Sequence, residues 1–216
     1  MSEPMKVDVW SDVQCPWCYI GKRKFERGVE LFGEPVEVEF HSYQLAPDSP
    51  VDFDGSHLDY LATKFAMPEP QVEEMLSNVS AIAAEVGLAY DFDSVQQTNT
   101  TRAHEVLHLA KQRGLQDALN ERLMRAYFIE GRHIGHIDDL VELGSDVGLN
   151  PVEVRGALDD GRYAEAVEAD IAQAQAYGIT GVPFFVIDGR LGVPGAQNPE
   201  VFASALEQAR DSDPTR

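Results

Sequence analysis

Both cysteines of the 216-residue chain fall in one short segment, Cys15-Pro16-Trp17-Cys18. A thiol reacts as its thiolate, and a free cysteine at neutral pH is mostly protonated. The residues that follow predict a helix opening at Pro16. Cys15 then stands where unpaired backbone N–H groups and the positive end of the helix dipole favour an anion. Cys18 lies one turn further in, near enough to close a disulfide and expected to be less exposed. This arrangement makes Cys15 the nucleophile toward a disulfide and Cys18 the group that resolves the mixed disulfide. Pro16 has no N–H to offer a sulfur, while its ring suits a first helical turn. Trp17 sets a flat apolar surface beside the nucleophile, fit to dock an unfolded chain or a cofactor.

Three quieter roles compete for the pair. A structural zinc site needs four ligands, and neither a second cysteine pair nor a nearby histidine supplies them. A static disulfide is out of place in an intracellular protein. Two inert buried thiols leave the placement at a helix start without a reason.

The elements that must position the pair can be read from periodicity. Met5, Val7 and Val9 alternate as in a strand, and Trp17, Gly21, Phe25 and Val29 recur at helical spacing over 16–32. Val36, Val38 and Phe40 alternate with Glu37, Glu39 and His41, a second strand with one wet face. Pro47 to Gly55 is a loop by composition. A long helical stretch follows, with apolar stripes over 72–86, 103–110, 115–127 and 137–144. Asn150-Pro151 is a cap and first turn, and a further stripe runs from Tyr163 to about Gly178. Phe184 to Ile187 is a continuous apolar run, the mark of a strand covered on both faces. Asp188-Gly189 signals a hairpin turn into Leu191 and Val193. Asn198-Pro199 opens a closing helix, and residues 211–216 read as a frayed tail. Neither the β-α-β start nor the β-β-α end can bury its apolar face alone, so both must share one sheet. The expected class is α/β, divided into 5–55 plus 161–210, with an all-helical insertion over 56–160.

Composition bounds the partners. Hydrophobic residues make up 44%, which excludes wholesale disorder, and no apolar run reaches membrane-helix length. The first residues, Met1 to Met5, lack the basic flank and apolar stretch of a secretory signal, so a soluble, cytoplasmic protein is expected. Seventeen basic residues against 37 acidic ones give a net charge of −20. Such a surface repels nucleic acid and anionic membranes, and both are excluded as partners. An acidic, lysine-poor surface also fits work in concentrated salt, a halophilic character.

The segment Asp12-Val13-Gln14-Cys15-Pro16-Trp17-Cys18-Tyr19-Ile20-Gly21 resembles the DsbA-like thioredoxin superfamily, as does Gly181-Val182-Pro183-Phe184-Phe185-Val186-Ile187. More narrowly, Gly192 to Gln197 and Asn99-Thr100-Thr101-Arg102-Ala103-His104 resemble its FrnE-like branch, related to 2-hydroxychromene-2-carboxylate isomerases and kappa-class glutathione transferases. The resemblance spans about residues 5–208 and implies a thioredoxin-like fold with a large helical insertion. It implies a cis peptide at Val182-Pro183 that brings the Val182 backbone to Cys15 and offers an extended substrate a hydrogen-bonding edge. It also implies that Asn99 and His104 line the substrate cleft, although Asn99 as a helix cap and His104 as a core histidine are the alternatives.

The branch contains two chemistries. Its isomerases and transferases typically carry serine where this chain has Cys15, and they use the thiol of glutathione. Cysteine at both ends of the motif favours dithiol–disulfide exchange with protein disulfides, protein thiols or small thiols. The redox centre is then the Cys15–Cys18 disulfide itself, with no bound cofactor and glutathione as a conceivable co-substrate, in a monomer or homodimer. A glutathione-dependent isomerase or transferase is the second reading, and a chaperone-like binder with redox-sensing thiols is a third.

No metal site is expected. His133 and His136 have a ligand-like spacing but no third ligand in sequence, and His41, His57 and His108 show no partner pattern. Asp12 either tunes the cysteine pair or caps the loop before it.

Overall fold

The structure is a computed structural model that describes residues 4–212. The described residues divide into two compact units, 4–45 with 168–212, and 46–167.

The first unit is built on a four-stranded sheet. Strands β1 (Met5–Ser11) and β2 (Val36–Ser42) run parallel with Val7 opposite Val38 and Asp8 opposite Glu39. Strand β3 (Phe184–Ile187) lies antiparallel to β1, Val7 facing Ile187 and Trp10 facing Phe184, and β4 (Leu191–Pro194) closes the order β2-β1-β3-β4. The continuous apolar run of β3 follows from cover on both faces, Phe185 and Ile187 packing in one core and Phe184 and Val186 in the other. In the three-residue connection to β4, Asp188 (φ 53°) and Gly189 (φ 66°) both take left-handed backbone, and the Arg190 amide donates to the Ile187 carbonyl at 3.0 Å to close the turn.

Each sheet face has its own core. Val7, Val9, Phe185, Ile187 and Val193 pack with Phe25 and Phe32 of α1 (Pro16–Phe32) and with Phe202 and Leu206 of α9 (Pro199–Asp211). On the other face, Trp10 and Val186 meet Ala174 and Ile179, near the end of α8 (Ala164–Ala176). Helices α1 and α9 approach so closely that a Cβ at Gly28 would stand 2.6 Å from Phe202 Cβ and 2.9 Å from the Pro199 carbonyl oxygen. Asp211 is still helical and Ser212 caps the helix, so these two are not part of a frayed tail, and residues 213–216 lie outside the described residues.

The second unit is helical throughout its regular structure: α2 (His57–Phe65), α3 (Glu69–Glu85), α4 (Thr101–Gln112), α5 (Gln116–Phe128), α6 (Ile137–Asp146) and α7 (Pro151–Asp159). The apolar stripes meet as expected, with Leu119, Leu123, Tyr127, Leu140 and Val154 fully buried. Asn150 caps α7 by accepting from the Val152 and Glu153 amides at 2.9 and 3.3 Å. Asn198 stands at the cap position of α9 but makes no side-chain cap bond.

The units part after residue 45 and rejoin at 168, rather than at the 55/56 and 160/161 boundaries drawn from sequence. The loop 46–55 belongs to the helical unit because polar side chains there bind its backbone. Thr98 Oγ1 donates to the Val51 carbonyl at 2.7 Å, and Asn99 Nδ2 donates to those of Pro47 and Ser49. Helix α2 carried no stripe clear enough to single out. It opens on a capping box, Ser56 accepting from the Asp59 amide at 3.0 Å while the Asp59 carboxylate accepts from the Ser56 amide at 2.9 Å.

Candidate functional site

The dithiol lies where β1 runs into α1. After Ser11 the chain turns tightly, the Cys15 amide donating to the Asp12 carbonyl at 3.0 Å. The Asp12 side chain is fully buried; it accepts from Gln14 Nε2 at 3.2 Å and from the Leu45 amide at 2.8 Å. Of the two roles read for Asp12, these bonds describe the loop-holding one: the carboxylate ties the turn before Cys15 to the segment after β2.

Cys15 is the N-cap residue of α1, with extended backbone (φ −91°, ψ 114°) and Pro16 in the first turn. Its carbonyl accepts from the Cys18 amide at 3.0 Å and the Tyr19 amide at 3.4 Å, which starts the helix. The thiol makes no cap bond to its own helix and instead donates to the Val182 carbonyl oxygen at 3.7 Å. Both cysteines are free thiols, Cys15 3% and Cys18 2% exposed. The expected contrast in exposure is therefore slight, because the turn and the 181–183 loop cover the first sulfur as well. Cys18 is marked electrostatically: burial pushes its thiol well above the ordinary cysteine range, and its contact with Cys15 pushes further, against opposing bonds from Ser11 and the Asp12 backbone.

The opposite wall is the loop before β3. The Val182–Pro183 peptide bond is cis, and the Pro183 carbonyl accepts from the Gly195 amide at 2.8 Å. Helix α1 passes this loop at Gly21, where an added Cβ would lie 2.8 Å from Pro183 Cγ. Gly21 is thus a site-forming residue that helical periodicity alone treats as one more apolar position. Trp17 is 39% exposed and borders the dithiol as an apolar rim.

Of the remaining expected site residues, Asn99 and His104 belong to the helical unit. The Asn99 side chain is spent locally: Nδ2 donates to the Pro47 and Ser49 carbonyls at 2.9 and 3.1 Å, and Oδ1 accepts from the Thr101 amide at 2.9 Å. His104 lies on the buried face of α4 at 2% exposure.

The histidines have partners that the sequence did not disclose. His41 stands between Asp170, bonded to Nδ1 at 2.9 Å, and Asp8, bonded to Nε2 at 2.8 Å. Burial alone would lower its pKa, but these two bonds and the fields of Asp170 and Glu39 outweigh it and raise the value to about 9. His133 uses both ring nitrogens, Nε2 donating to the Val51 carbonyl at 3.0 Å and Nδ1 accepting from the Gly135 and His136 amides. Among the described residues, Asp52–His133–His136 and Asp8–Glu39–His41 each bring three potential ligand residues within reach of one ion, but in both the imidazole nitrogens are engaged by internal bonds.

The family of DSBA-like thioredoxin domains matches residues 6–207. The chain belongs to the DsbA-like thioredoxin family. Within it, the chain is 30% identical over 203 residues to the uncharacterized protein YwbO of Bacillus subtilis (strain 168), covering 93% of this chain and 94% of that one. A probable DsbA oxidoreductase from Streptomyces coelicolor superposes with a TM-score of 0.91 at 41% identity, over 97% of this chain and 91% of the other. Two further structures share the DsbA-like fold at lower identity. The cytosolic disulfide reductase DsbM of Pseudomonas aeruginosa with GSH has a TM-score of 0.68 at 21% identity, covering 95% and 99% of the chains. A 2-hydroxychromene-2-carboxylate isomerase has a TM-score of 0.68 at 15% identity, covering 94% and 95%. Among the described residues no helix is long and apolar enough to cross a membrane.

Proposed function

We propose that this DsbA-like chain is a thiol–disulfide oxidoreductase that cycles Cys15 and Cys18 between dithiol and disulfide. The observation that carries the reading is the pair of cysteines in the first turn of α1, with the first thiol directed at the Val182 carbonyl of the facing loop. In the reducing direction, Cys15 gives up its proton and its thiolate attacks a substrate disulfide. A mixed disulfide forms and one substrate thiolate leaves. Cys18 then loses its own proton and attacks Cys15 Sγ, which closes the Cys15–Cys18 bond and releases the second substrate thiolate. Two electrons pass from protein to substrate, and the reverse sequence oxidises a dithiol. Because burial keeps Cys18 protonated, it stays silent until the mixed disulfide is in place.

Val182 offers backbone to an extended substrate segment, and Trp17 offers it an apolar face. Substrates are protein disulfides and thiols or small thiols such as glutathione. The dithiol is the whole redox centre, so the cycle needs no further bound group. We place the reaction in the cytoplasm, the compartment in the name of the neighbour DsbM. Cysteine rather than serine at position 15 weighs against glutathione-dependent isomerisation on the same fold.

The test is titration of the purified protein in glutathione buffers, with free thiols counted by alkylation and mass. A reversible two-electron transition that Cys15→Ser abolishes is the expected result. Failure of a Cys15–Cys18 bond to form at any poise would sink the oxidoreductase reading and favour the isomerase. The same preparation addresses the charge of −20: if the protein works in concentrated salt, its unfolding midpoint rises from low to molar salt. Equal midpoints would remove the halophilic character.

A further inference from the structure

The helical unit holds a cleft of about 470 Å³ that the disulfide chemistry does not use. The start of α2, one face of α3 and residues 90–93 line it. His57 forms part of its wall, 8% exposed, and its Nδ1 has no hydrogen-bond partner among the described residues. Burial, together with the field of Lys64 and against a bond to Gln97, lowers the His57 pKa to about 4, so the ring itself is neutral at neutral pH.

Two aromatic rings continue the wall. Phe92 stacks on His57 with centroids 5.9 Å apart, and Tyr90 meets Phe92 edge-on at 5.5 Å. Around them stand three exposed carboxylates, Glu73, Asp91 and Asp93, and neither Lys nor Arg lines the cleft. Elsewhere in this unit several arginines are matched to carboxylates: Arg122 pairs with Asp146 and Glu130, and Arg132 with Glu142. Among the described residues the three carboxylates at the cleft have no such partner. Aromatic faces attract a cation through the ring quadrupole, and carboxylates bind an ammonium by charge-assisted hydrogen bonds.

We propose that this cleft binds an organic amine, its ammonium groups on the Glu73, Asp91 and Asp93 rim and its apolar body against Tyr90 and Phe92. The site is independent of the dithiol, and its occupancy is measured without any redox assay.

Spermidine is the probe, titrated into isotopically labelled protein at about 0.15 M salt, where diffuse attraction is screened beyond about 8 Å. Saturable amide shifts confined to residues 56–58, 73–80 and 90–93 are expected. Asp91→Asn with Asp93→Asn should weaken binding about tenfold, a loss of about 1.4 kcal/mol. Both carboxylates are exposed, so the variant should keep its fold, which the unchanged remainder of the spectrum checks. Glu200→Gln with Glu207→Gln removes the same charge from the sheet unit and should leave affinity unaltered. Equal weakening by both pairs, shifts spread over the whole acidic surface, or the absence of saturation would each overturn the proposal.

Discussion

In the sheet unit, His41 lies between Asp170 and Asp8 and is raised to about 9; in the helical unit, His57 lies against Phe92 and Tyr127 and is lowered to about 4. Both rings are largely withdrawn from water. What separates them is the company they are given. Carboxylates on two sides hold a proton that burial would expel, whereas an aromatic wall lets desolvation win. The contrast lies in placement rather than in a lack of charge: the helical unit has ion pairs of its own, Arg122 with Asp146 and Arg132 with Glu142, but none of them encloses His57.

The largest effect that would break this comparison is on His41. The folded protein keeps a proton there between about pH 6.5 and 9 that the unfolded chain releases. Its contribution is therefore complete below about 6.5 and lost as pH rises through about 9. His57 has the opposite sign: its contribution is complete above about 6.5 and lost as pH falls through about 4. His41→Leu, which strands the buried Asp170 carboxylate, should cost about 3 kcal/mol near neutral pH and flatten the alkaline limb of the stability profile. His57→Leu should cost much less and flatten the acid limb. Urea midpoints between about pH 4 and 10 for the three proteins would show it, and swapped limbs would defeat the assignment.

Next in size come the close approaches of the sheet unit. Gly28→Ala would press on Phe202 and on the Pro199 carbonyl, and a loss of about 1–3 kcal/mol is expected with exchange activity per folded molecule unchanged. Gly21→Ala presses on Pro183 instead, so it should lower disulfide-exchange turnover as well as the thermal midpoint. If turnover survives Gly21→Ala intact, the seating of Pro183 against α1 is not part of the site.

The smallest effect sharpens the helical side. Asn99→Ala removes a bond to the first amide of α4 and two bonds to the 47–49 segment and should cost about 1 kcal/mol in stability. Turnover that falls more than stability would instead support the substrate role that the family resemblance implies for Asn99.

These cases also show where the sequence could be read. A continuous apolar run and helical spacing located β3 and α1 to the residue, because a strand covered on both faces and a helix on a sheet leave one-dimensional signatures. The dithiol was legible for the same reason: its chemistry depends on three-residue spacing at a helix start. His41 was opaque, since its partners lie 33 and 129 residues away and no local pattern links them. The 46–55 loop was assigned to the sheet unit because composition reveals a loop but not what binds it. Helix α2 did carry a local sign, Ser56 and Asp59 at capping-box spacing, outweighed by the weak apolar stripe behind it.

The order of strands has a consequence for how the molecule is made. Val7 finds its partner Ile187 only after the whole helical unit has been translated. At ordinary elongation rates of about 5–20 residues per second, the inner edge of β1 waits roughly ten to forty seconds for β3. During that interval the nascent chain presents an unpaired strand edge and, a few residues on, two thiols not yet covered by the 181–183 loop. An edge of that kind is a template for unwanted pairing. Holdase chaperones at the ribosome would therefore act on the first 45 residues longer than on any later part of the chain.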